Sequence, residues 1–339
     1  MNRNWQFTFW VHFVITILSA GCGNAQMGPA TQPLDANLKK VEKALPVLDS
    51  SDYKSRMLLM ANGDSSGKWA FKNDYPLPGA VLPFKRIIAY YGNLYSTRMG
   101  ILGELPKPQM FKRLQSEVAE WSKADSTTPA IPALHYIVST AQLDPGPSGK
   151  YRLRMPNSEI DKIMRMALEI DALVFLDIQV GLSTLQEEIP VLEKYLKHPK
   201  VHLGIDPEFS MKGGQRPGSV IGSFDASDIA YAQKFLADMV KKYNLPPKVL
   251  VIHRFTKGML KDYATVKPTP EVQIVVDMDG WGAPERKINT YWHFAYKEPI
   301  QFTGFKIFYK NDLKEAPHKL LTPKALLALK PVPLYIQYQ

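Results

Sequence analysis

Cysteine is nearly absent from this chain: among 339 residues there is one, Cys22. No intramolecular disulfide can form, so the fold must stand on its buried core. Glycine-rich phosphate loops are missing as well. No early apolar run leads into one, which weighs against an open doubly wound sheet that binds a nucleotide. There is no G-x-S-x-G elbow, so a serine-centred hydrolase is disfavoured. Neither HExxH nor H-x-H occurs, and the expectation is that no metal and no cofactor is used. Internal repeats and low-complexity tracts are absent too. Lys and Arg outnumber Asp and Glu by 42 to 32, a formal net charge of +10, which favours anionic surroundings such as cell-wall polymers, lipid headgroups or acidic glycans. No basic stripe interleaved with aromatics accompanies that charge, so nucleic acid is not an expected partner.

What is present is a globular composition, 45% hydrophobic and 22% charged, behind a distinctive leader. "MNRNWQFTFWVHFVITILSAGCGNAQ" carries Arg3, an apolar stretch from Phe7 to Leu18 and then small residues, the layout of a secretory signal peptide. "LSAGC" resembles the lipobox of bacterial lipoproteins, and that resemblance makes Cys22 the lipidated first residue of an exported, membrane-anchored protein. Residues 1–22 are then the signal peptide, 23–34 a small, polar tether, and 35–339 one domain with an N-terminal extension over 35–84. A short helix is expected over 35–49.

From residue 85 onward, short apolar runs recur: "RIIAYYG", "ALHYIVS", "ALVFLDIQV", "VHLGIDPEF", "KVLVIHRF", "VQIVVDMDG", "GFKIFY" and "PLYIQY". Runs apolar on both parities are strands buried on both faces, as in a parallel sheet. Helical stripes lie between them: Met110, Leu114, Val118 and Trp121; Ile160, Ile163, Met164, Ala167 and Leu168 behind Asn157; Ile229, Ala232, Phe235, Leu236, Met239 and Val240 behind Asp225 or Ser227. Thr322 and Pro323 open a last short helix. Eight such runs alternating with helices predict an α/β fold, a (β/α)8 TIM-type barrel with no eighth helix after its last strand. The doubly wound sheet is the alternative.

In such a barrel the functional groups gather at the C-terminal strand ends. Asp177 and Gln179 end the third run, Asp206 and Glu208 the fourth, His253 and Arg254 the fifth, and Asp277 and Asp279, before Gly280 and Trp281, the sixth. Tyr91 and Asn93, Ser139 and Gln142, Lys310 and Asn311, and Tyr335 and Gln337 occupy the remaining rim positions. On a strand, Asp206 and Glu208 share a face with Gly204 and His202. A carboxyl beside another is held protonated, which suits Glu208 to general-acid work with Asp206 tuning it. His253 and Arg254 point to opposite faces, and an inward His253 is a structural histidine, a ligand or a base. A metal held by Asp177, Asp206, Glu208, His253 and Asp277 has no spacing motif behind it.

The Asp-x-Glu of Asp206 and Glu208 resembles the fourth-strand ending of chitinase-type and lysozyme-type barrel glycosidases. That resemblance implies a glycoside-hydrolase-like barrel with Glu208 as proton donor. Upstream, Gly204 and His202 replace that pattern's further Asp, and Met278 precedes Asp279 where its sixth strand has Tyr-Asp. The stretch from "AYYGN" to "YIQYQ" also resembles a family of bacterial lipoproteins that brings no activity with it. The expected activity is hydrolysis of a glycan, with Glu208 as acid, Asp206 and Asp177 tuning it, and Asp277 or Asp279 as base or nucleophile. Tyr91, Asn93, Gln179, His253, Trp281, Lys310, Tyr335 and Gln337 would bind substrate, and Tyr90 and Tyr309 are further aromatics near the rim. The alternative is a barrel that binds a glycan or another envelope component without turnover. If Cys22 carries the lipid, Cys22→Ala should move the protein out of the membrane fraction. Fractionation that still finds the variant membrane-bound would refute the anchor.

Overall fold

The computed structural model describes residues 47–69 and 75–339. All of them belong to one compact unit, Glu42–Gln339. Cys22, the leader and the tether lie outside the described residues, as do residues 35–46 of the helix expected over 35–49. Residues 47–49 are not helical but lead into α1 (Ser50–Ala61), where Asp49 accepts from the Ser51 and Asp52 amides.

Eight parallel strands close into a barrel: β1 (Arg86–Gly92), β2 (Ala130–Ala141), β4 (Leu173–Ile178), β5 (Val201–Ile205), β6 (Lys248–Arg254), β7 (Val272–Met278), β8 (Phe302–Ile307) and β9 (Tyr335–Tyr338). Closure is direct, because β1 pairs in parallel with both β2 and β9. A short β3 (Arg152–Arg154) turns back antiparallel on the end of β2. Glu188 anchors this hairpin beside the rim, accepting from Arg152 Nε at 2.8 Å and Arg154 Nε at 2.7 Å. Adjacent residues such as Ile87 and Ile88 are both fully buried, which is why the strands read as unbroken apolar runs. This is the (β/α)8 TIM-type architecture.

The outer layer follows the stripes with a few differences. Helix α2 (Lys107–Ala124) buries Met110, Leu114 and Trp121, while Val118 is half-buried. Helix α3 (Asn157–Glu169) has Asn157 as its first helical residue, with Pro156 at the cap, and leaves Leu168 exposed. In α4 (Ala226–Tyr243) Asp225 is the cap, in a reciprocal box with Asp228. Helix α5 (Pro284–Tyr291) joins β7 to β8, and α6 (Pro323–Leu327) starts at Thr322 as expected. Between β6 and β7 the connection is two 3-10 turns, Lys257–Met259 and Tyr263–Thr265. Among the described residues no helix is long and apolar enough to cross a membrane.

The extension seals the N-terminal end of the barrel. Tyr53, Met57, Met60, Trp69 and Leu82 pack in one cluster with Ile87, Leu173, Val249, Phe302 and Leu334, which lie at or beside the strand starts. Gln273 is buried there because its amide is spent on backbone. It accepts from the Val81 and Leu82 amides at 3.1 Å and donates to Leu82 O at 2.6 Å.

At the opposite end, Asp312 ties the loops together. It accepts from Lys287 Nζ at 2.6 Å, from the Phe308 amide at 2.9 Å and from the Gly282 amide at 3.0 Å. Lys287 is buried, and desolvation pushes its ammonium down to about 8 even with Asp312 beside it. Removing the acid strands that cation, so Asp312→Ala should cost about 3–5 kcal/mol in urea unfolding. A loss below about 1 kcal/mol would mean that water already solvates Lys287.

Candidate active site

The barrel interior changes character along its axis. Above the apolar layer of Ala89, Ala133, Phe175, Val251 and Val275, inward positions turn polar: Tyr91, His135, Asp177, His253, Asp277, Lys306 and Gln337. The register sets them at matching heights, with Tyr91 opposite His135, Asp177 opposite Gly204, and Asp277 between His253 and Gly304. Glycine makes this layer possible. A Cβ at Gly204 would collide with Asp177 Oδ1 and His135 Nε2, and one at Gly304 would come within 2.5 Å of Asp277 Oδ1.

Asp177 is the hub. Its Oδ1 lies 3.1 Å from His135 Nε2 and 3.3 Å from His253 Nε2, and its Oδ2 accepts from the Tyr91 hydroxyl at 3.1 Å. Burial alone would raise this carboxyl, but His253 and His135 outweigh it and hold the group well below the usual range. Burial disfavours the charge on His253, yet Asp177 and Asp279 overcome that and hold it as imidazolium. The second ring nitrogen of His253 lies 3.2 Å from Asp279 Oδ2 and 3.7 Å from Asp277 Oδ2. His135 goes the other way. Desolvation takes it down to about 4, and it is neutral.

Strand β5 stops at Ile205, so the adjacency of Asp206 and Glu208 is the work of a turn and not of strand parity. Pro207 opens the 3-10 turn Pro207–Phe209, and Asp206 caps it, its Oδ1 accepting from the Glu208 amide at 3.0 Å. The other Asp206 oxygen accepts from Gln179 Nε2 at 3.2 Å. Burial first, then the neighbouring Asp279 and Asp177, push Asp206 up to about 7. Burial, then Asp206 and Asp279, push the half-buried Glu208 up to about 8. Asp277 rises to about 7, mainly by desolvation. The mouth therefore holds protonated and ionised carboxyls together near neutral pH.

Asp177, Asp206, Glu208, Asp277, Asp279, Gln179, Tyr91 and His253 thus come together at one end of the barrel. Tyr335 and Gln337 lie deeper than a rim, bonded to each other and to His135. Trp281 is 46% exposed on the loop after β7. Two expected residues stay out. Asn93 spends its side chain on Ile137 O and the Tyr95 amide, and Lys310 pairs with Glu104 at the surface. Tyr90 and Tyr309 face away from the mouth and meet each other under α2 beside Glu117. Arg254 also turns outward, to Glu298 and the rings of Tyr263 and Phe294. Two members were missed: His135, and Lys306, whose ammonium lies 3.8 Å above the Tyr91 ring. A lone polar residue inside an apolar run, as in "ALHYIVS" and "GFKIFY", was the available signal.

No family model and no curated protein matches the chain. Among solved structures, a ruminal GH26 endo-beta-1,4-mannanase is similar at 12% identity and a TM-score of 0.35, over 75% of this chain and 58% of that one. The chain spans less than two thirds of that protein's length, and a likeness this distant says nothing about what this one acts on.

A carboxyl with a raised folded pKa binds its proton more tightly folded than unfolded. Its stabilising contribution is complete below the ordinary value of 4.5 and is lost as pH rises through about 8. Relative to Glu208→Gln, which does not titrate, the wild type should lose stability between about pH 5 and 8 in urea unfolding. A difference that stays flat over that range would return Glu208 to an ordinary pKa.

Proposed function

We propose that this barrel hydrolyses a glycosidic bond of an envelope glycan or cell-wall polymer. The observation that carries the proposal is the half-buried Glu208, set beside Asp206 at a mouth that also holds Asp279. Glycoside hydrolysis needs one carboxyl still protonated near neutral pH and a second one ionised. Glu208 meets the first need. As the bond to the anomeric carbon breaks, Glu208 gives its proton to the leaving oxygen. Asp279 serves as the second carboxylate, since Asp277 is fully enclosed and Asp279 lies nearer the surface. It either takes a proton from the attacking water or bonds to the anomeric carbon itself, to be released by water afterwards. Asp206 and Asp177 tune the pair.

The ion pairs of Asp177 and Asp279 run to His253 and not to Lys or Arg, which suits groups that exchange protons more than groups fixed for support. Trp281 offers an exposed indole on the same loop as Asp279, suited to stacking on the apolar face of a sugar. The placement at the membrane rests on the leader and on Cys22.

Glu208→Gln keeps the side-chain volume and should fold and bind like the wild type. Turnover on a panel of β-linked polysaccharides should fall roughly 10²–10⁴-fold. Undiminished turnover would remove Glu208 as the acid. Binding without turnover by the wild type would replace the hydrolase with a glycan-binding protein.

A further inference from the structure

We infer that His135, Asp177 and His253 are the protein ligands of a divalent transition-metal ion of zinc's size, seated at the base of the barrel mouth. The inference goes beyond the hydrolase reading and does not rest on it.

Once His253 gives up its Nε2 proton to solvent as the ion enters, the three residues offer two imidazole nitrogens and a carboxylate oxygen, all within 4.8 Å of one another and all fully buried. Two ligand atoms each about 2.1 Å from one ion, at an angle near 100°, stand roughly 3.2 Å apart. The two observed Nε2 to Oδ1 separations are 3.1 and 3.3 Å. Hydrogen bonding accounts for one of these two contacts, that of His253 Nε2 with Asp177 Oδ1, and leaves the other unexplained. His135 Nε2 is at hydrogen-bond distance from Asp177 Oδ1, yet its direction makes no hydrogen bond, and the atom is buried without another partner. A ring nitrogen that approaches a carboxylate without aiming at it fits a common point between them. An orphaned buried nitrogen is otherwise costly.

The surroundings are those of a metal site as well. Metal-bound histidines usually give their other ring N–H to an acceptor that fixes the tautomer. His135 Nδ1 is hydrogen-bonded to the Tyr335 hydroxyl at 2.5 Å, with Gln337 Nε2 at 3.2 Å from the same nitrogen, and His253 Nδ1 faces Asp279 Oδ2 at 3.2 Å without a hydrogen bond. The Tyr91 hydroxyl holds Asp177 through its other oxygen, leaving Oδ1 for the ion. Gly204 keeps clear the space beside the two atoms that would bind it, Asp177 Oδ1 and His135 Nε2. Both Asp277 oxygens and Asp279 Oδ1 are buried without a hydrogen-bond donor. A dication nearby would offset that negative charge. Three protein ligands leave the remaining coordination to water, the usual condition of a zinc ion that takes part in chemistry.

The test uses the full chain, stripped with a chelator, dialysed and titrated with Zn²⁺ by calorimetry, with metal content read by mass spectrometry. One Zn²⁺ per chain is expected, with Co²⁺ giving the visible spectrum of a low-coordinate nitrogen and oxygen site. His135→Gln and His253→Gln should abolish binding. Tyr335→Phe, which removes only the hydroxyl that His135 and Gln337 share, should weaken it roughly 10–100-fold, and it serves as the variant if circular dichroism shows the others unfolded. No binding by the wild type, or binding unchanged in these variants, overturns the site. Glycan turnover is a separate readout: turnover by a chain that takes up no Zn²⁺ rejects the metal alone, and stoichiometric Zn²⁺ without turnover rejects the hydrolase alone.

Discussion

A closed barrel gives the charges inside it no water, so they must settle their balance with one another. That constraint governs this protein. Asp177 can stay ionised at full burial only because two imidazoles and a phenol surround it. His253 stays charged only because Asp177 and Asp279 flank it. Once that inner set is fixed, the outer carboxyls have little positive charge left to share. Asp206 and Glu208 respond by keeping their protons. The chemistry of the mouth is thus a remainder, set by which charges the interior has already matched.

Packing serves the same end. Eight strands bring inward side chains to a few common heights, and the layer of charged groups would be overcrowded if each strand contributed a large one. Gly204 and Gly304 supply the missing volume on β5 and β8, each beside an acid on a neighbouring strand. Around the rim, Glu188 under two arginines and Asp312 over Lys287 fasten the loops on two sides. Those clamps pair oppositely charged groups of ordinary kind. The interior uses histidine instead, whose charge can change.

The barrel was legible in the sequence because burial on both faces leaves an unmistakable run of apolar residues, repeated eight times. Helix α1 escaped notice because few of its twelve residues, Tyr53, Met57, Met60 and Ala61, touch the core. The acids were visible at strand ends, where polarity is unexpected. His135 and Lys306 were not, since one polar residue within an apolar strand does not say which way it points. The same ambiguity of parity put Tyr90 beside Tyr91 on the rim, although only Tyr91 faces the interior. Asp206 and Glu208 were paired for a mistaken reason, since a proline-opened turn brings them together. Lys310 and Asn93 show the converse error: a position at a strand end is no guarantee of a free side chain.

The extension that packs beneath the strands has one more effect. With Tyr53, Met57, Trp69 and Leu82 packed beneath the strand starts, the described residues fill the far end of the barrel. The strand-end loops, with the half-buried Glu208 and the slightly exposed Asp279, are then the side of the inner charges nearest solvent.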